Sequence, residues 1–583
     1  MFKLAKFLRP YWWQIIILCI AVILQVACTL QLPTMMADIV NVGIVPGNTD
    51  FVWQTGFGMI GIAIVSAVGA LVSSYFAASI GVGFSRDLRA AVYSKVLTFS
   101  ISETKKFSTA SLITRTTNDV NQVQQVFTMI LQMMLRAPIT FVISIILAIK
   151  TAPEMNWIII VAVIAILAIV VTIMAIVIPK FKIFQKLVDK VTLLTRENLT
   201  GLRVIRAFNN EKYEQKKFNK TNTELTKLLT FVDRVLEIQN PAITIIFNGT
   251  TLLCTWVGVS LLTKDVAYLG NMMAFSQYAS QVIMAFLMMS VLFVLLPRGN
   301  VSASRINEIL RTAPKVHWIA KTKGIPSHIP SVEFKNVDFT YDGAHEKMLD
   351  NISFTANAGE TTAIIGSTGS GKSTLINLIP RFYEATKGEI LVSGINIKDY
   401  AEKDLMAKIG FVPQRGLLFA GDIKSNIAFG ADAATKAQIE QAATISQSQE
   451  FIKKMPKQYD SHIAQGGTNV SGGQKQRLSI ARAIAKNPDI YIFDDSFSAL
   501  DMKTDAKLRE ALKDITKNAV VLIVAQRVNT IKEADQIIVL DNGKIVGKGQ
   551  HYELLKNCQI YQDIVKSQLS DDEYKKELKH AGR

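Results

Sequence analysis

The chain has 583 residues, with 64 Lys and Arg against 47 Asp and Glu, and 49% of its residues are hydrophobic. This length excludes a single compact domain: the first ~300 residues hold long apolar stretches, whereas the last ~250 alternate short apolar runs with Gly-rich turns and charged segments. The net charge of +17 does not indicate a nucleic-acid partner, because basic loops on the inner side of a membrane produce the same excess.

Six apolar segments are long enough to cross a bilayer, and an even number places both ends of this region on the same side. The connections at 82–126 and 179–238 hold most of the basic residues, whereas the other three connections offer only Lys150 and Lys264. The positive-inside rule therefore places both termini in the cytoplasm. The predicted spans are 12–36, 56–81, 127–149, 157–178, 241–263 and 270–296.

The two basic connections are too long to be simple turns, and both have helical periodicity. We predict that membrane helices continue beyond the bilayer at 82–126 and 179–238 and can transmit motion from a soluble domain. Solvated helical hairpins without a mechanical role are the alternative.

Residues inside the spans favour an apolar or amphipathic ligand over a strongly anionic one. Arg136 lies in the third span and either faces a cavity or lies nearer an end. Methionines in the last span form either an adaptable apolar face or ordinary helix packing. They are Met272, Met273, Met284, Met288 and Met289.

A glycine-rich loop between the predicted strand 361–365 and a predicted helix indicates a nucleotide site. In such a loop backbone N–H groups wrap the phosphates, Lys372 reaches the β- and γ-phosphates, and Ser373 binds Mg²⁺. Asp494 ends a second apolar strand and is expected to be another Mg²⁺ partner. The loop reads Gly366-Ser367-Thr368-Gly369-Ser370-Gly371-Lys372-Ser373-Thr374.

A second motif, Ser471-Gly472-Gly473-Gln474, precedes a helix that begins near Leu478. A serine and two glycines at a helix N-terminus form an anion-binding surface. The motif follows the glycine-rich loop by about 100 residues and precedes Asp494 by about 20, a spacing that is diagnostic among P-loop proteins.

With these motifs in this order, the sequence resembles the ATP-binding cassette (ABC) family over its whole length, and in particular a bacterial exporter half-transporter. The resemblance implies ATP and Mg²⁺ as cofactors. It also implies that Tyr341 stacks on adenine, that Gln414 lies near Mg²⁺, and that Asp501 belongs to the D-loop at the catalytic site. The segment 201–208 is similar to the second coupling helix of exporters. In this family two cassettes dimerise head to tail, and each ATP lies between one chain's P-loop and the other chain's Ser-Gly-Gly-Gln signature.

Three positions depart from the family pattern. Asp495 stands where the family has a glutamate that polarises the attacking water; its carboxylate is withdrawn by roughly 1.5 Å, and misplacement by ~1 Å can cost on the order of 10²-fold in rate. Gln526 replaces a histidine that senses the γ-phosphate, and an amide cannot carry a positive charge. Gln465 stands at what is an acidic position ahead of the signature. Asp495 and Gln526 together predict a degenerate site, and a working homodimer that tolerates both residues is the alternative.

A degenerate P-loop site beside an intact signature predicts a heterodimer, like the bacterial heterodimeric multidrug exporters. The second half-transporter should carry Glu and His in its own motifs and hydrolyse most of the ATP. The expected function is ATP-driven efflux of small hydrophobic or amphipathic compounds across the bacterial cytoplasmic membrane, where the chain also contacts membrane lipid. A lipid or lipopeptide flippase and an ATP-binding regulatory subunit are alternatives.

The expected fold is an α-helical six-span transmembrane domain with long cytoplasmic helices, followed by an α/β P-loop nucleotide-binding domain. The expected boundaries are 1–310 for the transmembrane domain, 311–330 for a linker, 331–570 for the cassette and 571–583 for a charged tail.

Overall fold

The computed structural model describes residues 2–262, 268–431 and 433–581. The chain divides into two compact units. The first comprises Met1–Leu97 and Ala110–Thr312, and the second comprises Thr98–Thr109 and Ala313–Arg583. Residues Thr98–Thr109 therefore belong to the second unit, although long helices of the first unit flank them in the sequence. We call Thr98–Thr109 the docking segment.

The first unit consists of long helices. The described residues contain six helical segments that are long and apolar enough to cross a membrane, which confirms the predicted six-span domain. Lys264, predicted in a short connection, lies outside the described residues. The six segments are Lys3–Ile44, Thr49–Leu97, Thr109–Thr151, Pro153–Thr200, Glu211–Leu261 and Leu269–Met289. The helices are α1 (Trp12–Asp38), α2 (Thr49–Leu97), α3 (Ile101–Phe107, within the docking segment), α4 (Thr109–Thr116), α5 (Asn118–Met129), α6 (Leu135–Thr151), α7 (Asn156–Thr200), α8 (Leu202–Ala207), α9 (Glu211–Glu237), α10 (Gln239–Leu262) and α11 (Tyr268–Arg311).

Several of these helices exceed the thickness of a bilayer. Helix α2 has 49 residues and α7 has 45. At 1.5 Å per residue α2 is about 74 Å long, more than twice a hydrocarbon core of ~30 Å. The connections at 82–126 and 179–238 are helical, as the sequence predicted, and α8 is a short helix at the turn between α7 and α9.

Proline and π-helical turns interrupt the spans without ending them. Pro33 lies inside α1, which runs into a π turn at Ile39–Ile44, and a second π turn at Ile130–Met134 precedes α6. Such breaks are tolerated in membrane helices because neighbouring helices and side chains satisfy the freed backbone groups. Arg136 is the second residue of α6, directly after that π turn, and its side chain is exposed in this chain.

The second unit is built on two main sheets, which confirms the predicted α/β domain. Its strands are β1 (Ser331–Phe339), β2 (Leu349–Asn357), β3 (Thr361–Gly366), β4 (Lys387–Val392), β5 (Ile395–Asn396), β6 (Ile409–Val412), β7 (Gly421–Asp422), β8 (His462–Ile463), β9 (Ile490–Asp494), β10 (Val520–Val524), β11 (Gln536–Asp541) and β12 (Lys544–Gly549). One sheet has the order β12-β11-β3-β10-β9-β6, and a four-stranded antiparallel sheet has the order β2-β1-β4-β5. Strands β7 and β8 form a separate pair.

The parallel strands of the larger sheet bring the predicted site residues to one edge of the sheet. Strands β11, β3, β10, β9 and β6 pair in parallel, so their carboxyl ends lie together. Every residue of β9 and β10 is buried, as expected for strands covered on both faces. Ligands of open parallel sheets bind in the crevice at the carboxyl ends, which is where the predicted motifs begin.

The C-terminal part of the second unit is helical. Residues predicted as a charged tail include α22, in which Tyr574 packs against the core of the sheet and Glu577 contacts Lys532 and His551. The helices of this unit are α12 (Lys372–Leu378), α13 (Glu402–Lys408), α14 (Ile423–Ala428), α15 (Lys436–Ile445), α16 (Gln449–Lys454), α17 (Gly472–Ala485), α18 (Met502–Ile515), α19 (Val528–Ile531), α20 (His551–Asn557), α21 (Gln559–Gln568) and α22 (Asp571–Ala581).

Candidate nucleotide site

The glycine-rich loop folds around its own lysine. Strand β3 ends at Gly366, and α12 begins at Lys372, whose Nζ donates to the carbonyl oxygens of Gly366 and Ser367 at 2.9 and 2.7 Å. Gly371, before α12, has a φ of 101°, which favours glycine. A Cβ at Gly366 would lie 2.0 Å from the carbonyl oxygen of Leu540. Backbone geometry therefore requires glycine at both ends of the loop.

The loop has the features that a phosphate group needs. Ser370 is buried, and its hydroxyl has no hydrogen-bond partner within the described part of the chain. Ser367, Thr368 and Gly369 are exposed, and a Cβ at Gly369 would meet nothing within 4 Å. An unpaired buried hydroxyl beside an open glycine-rich backbone is suited to phosphate oxygens.

A hydroxyl and a carboxylate meet at the start of α12. Ser373 Oγ donates to Asp494 Oδ1 at 2.9 Å. Burial raises the pKa of the Asp494 carboxyl, and burial also lowers the pKa of the Lys372 amine. Serine and aspartate oxygens are ligands that Mg²⁺ accepts, so these two residues fit the metal that the family pattern implies.

Asp495 is held by two amides at the ends of neighbouring strands. Its Oδ2 accepts from Nε2 of Gln526 at 2.8 Å and from Nε2 of Gln414 at 3.2 Å. The residue is buried and adopts a left-handed backbone with φ 48°, and its N–H donates to the carbonyl of Val524 at 2.9 Å. Two of the three residues that depart from the family pattern, Asp495 and Gln526, are thus in direct contact.

Tyr341 contacts the first turn of α12, where the loop ends. Its hydroxyl is 2.9 Å from Oγ1 of Thr374, and its ring is edge-on to Tyr383, with 5.4 Å between centroids. Lys105 of the docking segment lies 5.4 Å from the centroids of both tyrosine rings. Nothing in the sequence singles out Lys105, because no local motif relates it to residues more than 200 positions away.

Other contacts also join the docking segment to the rest of the second unit. Ser102 Oγ donates to Asp342 at 2.5 Å, and Glu103 accepts from the N–H of Lys315 at 3.3 Å. Glu103 is buried although it is charged, and it also caps its own helix by accepting from Ser100. Ile101 packs against the apolar core of the antiparallel sheet.

The signature forms a cap on α17. Ser471 Oγ accepts from the N–H of Gln474 at 3.3 Å, and Gln474 Oε1 accepts from the N–H of Ser471 at 2.9 Å. This reciprocal capping box satisfies two N–H groups of the helix terminus. Ser471 and Gly472 are exposed, and Gly473 approaches the D-loop, since a Cβ there would lie 3.4 Å from the carbonyl of Ala499.

Asp501 ends the D-loop and caps α18, because its Oδ1 accepts from the N–H of Thr504 at 2.9 Å. That hydrogen bond lowers the pKa of the exposed Asp501 carboxyl. Gln465 is exposed at the start of a 3₁₀ turn, Gln465–Gly467.

The predicted residues thus fall into two groups. The P-loop, Asp494, Asp495, Gln414 and Gln526 lie in one hydrogen-bonded region at the sheet edge. Within the described residues no hydrogen bond joins the signature to that region. A single chain therefore presents its P-loop and its signature as separate surfaces.

Comparison with known proteins identifies the two parts of the chain. The model of the ABC transporter transmembrane region matches residues 15–286, and the model of the ABC transporter family matches residues 349–498. Several curated ABC transporter proteins are similar to this chain over nearly its whole length. The chain belongs to the ABC transporter family.

Relatives of this ABC transporter are found in several bacteria. It is 37% identical over 569 residues to an uncharacterized ABC transporter ATP-binding protein of Mycobacterium tuberculosis, covering 97% of each chain. It is 36% identical to an uncharacterized ABC transporter ATP-binding protein of Bacillus subtilis, over 97% of this chain and 98% of that one. It is 30% identical to a Rickettsia typhi protein provisionally named as an export ATP-binding/permease protein, over 98% and 99%.

A solved structure supports the same fold. A bacterial Atm1-family ABC exporter with ATP bound superposes with a TM-score of 0.78 at 24% identity, over 96% of this chain and 98% of the other. The resemblance to a half-transporter is confirmed at the level of family and fold.

Proposed function

We propose that the chain is one half of an ATP-driven exporter and that its own P-loop site holds ATP more than it hydrolyses it. The observation that carries this proposal is the contact between Gln526 Nε2 and Asp495 Oδ2 at 2.8 Å. Both positions that govern hydrolysis in the family are changed here, and the two side chains bind each other.

The chemistry of these side chains favours slow hydrolysis. A general base must approach the attacking water closely, and the shorter aspartate holds its carboxylate back by roughly 1.5 Å, enough for a rate loss on the order of 10²-fold. Two amides already donate to the same carboxylate oxygen, so an attacking water would have to compete with Gln414 and Gln526 for it. Gln526 can donate one hydrogen bond to a γ-phosphate but adds no positive charge.

The remaining residues suit ATP binding and in-line phosphoryl transfer. Lys372 and the backbone N–H groups of the loop would hold the β- and γ-phosphates, and Tyr341 would stack on adenine. Mg²⁺, when bound, would be held by Ser373, Asp494 and the amide oxygen of Gln414, and would neutralise charge that develops on the phosphates.

A second half-transporter would complete the exporter. The exposed signature, with its capping box intact, suits the ATP held by another chain's P-loop. Helix α8 and Phe208, the residue after it, expose apolar side chains at the tip of a helical hairpin: Leu202 is 43% exposed, Val204 60% and Phe208 78%. Such a tip is suited to a cassette surface. We propose a heterodimer whose second chain carries Glu and His at the positions of Asp495 and Gln526.

Transport would then follow alternating access in the cytoplasmic membrane, with both termini in the cytoplasm as the basic connections favour. ATP closes the cassettes, the long helices carry that closure to the spans, and hydrolysis, mainly at the partner's P-loop, resets the cycle. Ligands drive such a cycle only through their differential affinity for the two states.

A cavity of about 290 Å³ in the membrane unit supports the proposed substrate class. Its lining is neutral and mainly apolar, with Pro33, Met36, Met272 and Met273 beside Gln277. Methionine side chains adapt to varied apolar shapes, so this lining favours a hydrophobic or amphipathic compound. A lipid or lipopeptide flippase has the same requirements, and transport of dyes against labelled lipid in vesicles distinguishes the two.

A regulatory subunit that binds ATP and gates its partner is the other candidate. Its distinguishing result would be substrate transport by the second chain without this chain. Six intact spans and an intact signature argue against it.

The test is ATPase activity of the purified full-length chain, alone and together with the second half-transporter. We expect slow turnover alone and fast turnover together. Brisk turnover by the chain alone that is abolished by Asp495→Asn would refute the degenerate site and support a homodimer.

A further inference from the structure

We infer that Gln568, at the end of α21, is a positioning residue for the switch position Gln526, and that the C-terminal helices thereby tune recognition of the γ-phosphate. The observation is a pair of hydrogen bonds. Gln568 Nε2 donates to the carbonyl oxygen of Gln526 at 2.7 Å, and Gln568 Oε1 accepts from the N–H of Val528 at 2.9 Å. This inference rests on the proposed role of Gln526.

We call the connection between β10 and α19, residues 525–527, the switch loop. One amide side chain thus binds both the carbonyl of Gln526 within this loop and the N–H of Val528 directly after it. Strand β10 ends at Val524, and α19 begins at Val528. The N–H of Ala525 still donates to the carbonyl oxygen of Ile364 in β3 at 3.1 Å, whereas the carbonyl of Gln526 and the N–H of Val528 lie beyond the strand and bind Gln568. Backbone groups without such partners would have to bind water or move. Gln568 therefore fixes the backbone at Gln526, and with it the direction in which the Gln526 side chain points.

The hydrogen bonds continue to the catalytic carboxylate. Gln568 binds the backbone of Gln526, and the Gln526 side chain binds Asp495 Oδ2 at 2.8 Å. The three residues line the same groove of about 1050 Å³, together with Asp501 of the D-loop. A shift of the C-terminal helices would therefore displace the Gln526 amide, which binds Asp495 here and would donate to a bound γ-phosphate.

Gln568 is itself on a well-anchored element. Tyr561 and Val565 of α21 are completely buried in the core of the larger sheet. Helix α22 follows, and its Glu577 binds Lys532, which lies directly after α19. The C-terminal helices thus contact the chain on both sides of α19: Gln568 binds the switch loop before it, and Glu577 binds Lys532 after it.

The test compares affinities for two nucleotides that differ in the γ-phosphate. Full-length chain in nanodiscs with Mg²⁺ is titrated with fluorescent ADP and with a fluorescent β,γ-imido analogue of ATP, which is not hydrolysed. The readout is the ratio of the two Kd values. A residue that positions the γ-phosphate contact changes this ratio, whereas a residue that only stabilises the fold weakens both nucleotides alike.

We expect Gln568→Ala to lower the preference for the ATP analogue about fivefold, the factor that loss of about 1 kcal/mol produces, with ADP affinity unchanged. Gln568→Glu retains the bond from Val528 but cannot donate to Gln526, so we expect it to resemble Gln568→Ala. The matched control is Gln562→Ala, because Gln562 lies on the same helix and donates to the carbonyl of Leu555 at 2.7 Å, away from the switch loop.

The variants distinguish a failure of this inference from a failure of the proposed role of Gln526. If Gln526→Ala leaves the ratio unchanged, the role of Gln526 fails and this inference fails with it. If Gln526→Ala lowers the ratio and Gln568→Ala does not, only the inference is overturned. Equal loss of both nucleotides in Gln568→Ala, or a similar change in Gln562→Ala, would mean that the amide is merely structural. If the double variant Gln526→Ala with Gln568→Ala has the same Kd ratio as Gln526→Ala alone, Gln568 acts through Gln526.

Discussion

Restoring the family residues at positions 495 and 526 should turn the P-loop site of this chain into a hydrolytic one. The perturbation is the double replacement Asp495→Glu with Gln526→His. It lengthens the carboxylate towards the attacking water and replaces the amide that binds Asp495 Oδ2 at 2.8 Å by a group that can carry positive charge.

The expected gain follows from the geometry. Correcting a misplacement of ~1 Å is worth on the order of 10²-fold in rate, which is about 2.7 kcal/mol at 1.36 kcal/mol per tenfold. Asp495→Glu alone should gain less, because Gln526 and Gln414 can still donate to the carboxylate, and each bond to a charged group contributes about 1.5–3 kcal/mol. Since the two side chains touch, a double-mutant cycle should give a coupling of about 0.5–3 kcal/mol.

The assay is single-turnover release of labelled phosphate from ATP by excess full-length chain in nanodiscs. Lys372→Ala in each background shows which part of the activity comes from this P-loop, because it removes the amine that faces the phosphates. Wild-type chain that releases phosphate as fast as the double variant would refute the reasoning. So would a double variant that binds ATP normally yet gains nothing.

Three further predictions concern other parts of the second unit. Lys105→Met removes a cation that lies 5.4 Å from two tyrosine rings, a contact worth about 0.5–2 kcal/mol. Amide hydrogen exchange in the docking segment should therefore rise, and an unchanged exchange rate would contradict a stabilising contact. Gly366→Ala places a Cβ 2.0 Å from the carbonyl oxygen of Leu540, and overpacking of about 1–3 kcal/mol should distort the loop and abolish binding of fluorescent ATP; normal binding would contradict the stated geometry. Burial lowers the pKa of His551, so protonation favours the unfolded chain and stability falls as pH drops below about 6.5. His551→Gln should therefore lose less in Tm than wild type between about pH 7.5 and about pH 5.5, and an equal loss would contradict a buried neutral imidazole.

The sequence alone determined the architecture and the location of the phosphate loop. Apolar runs of about 20 residues have few structural solutions in a bilayer, so six spans could be read directly. The glycine-rich loop needs particular residue types at fixed spacing because its backbone must approach phosphates, and Gly366 and Gly371 confirm that geometry. A phosphate loop of this kind can be recognised from the sequence because its residues are adjacent in the chain.

Only the tertiary structure decided which distant residues act together. The sequence identified Asp495 and Gln526 as two separate departures, but the parallel order of β9 and β10 brings them into direct contact. It gave no reason to relate Lys105 to Tyr341, or Gln568 to the switch loop. These contacts depend on how elements far apart in the chain pack, and no periodicity or spacing encodes the distance between two side chains that meet only after folding.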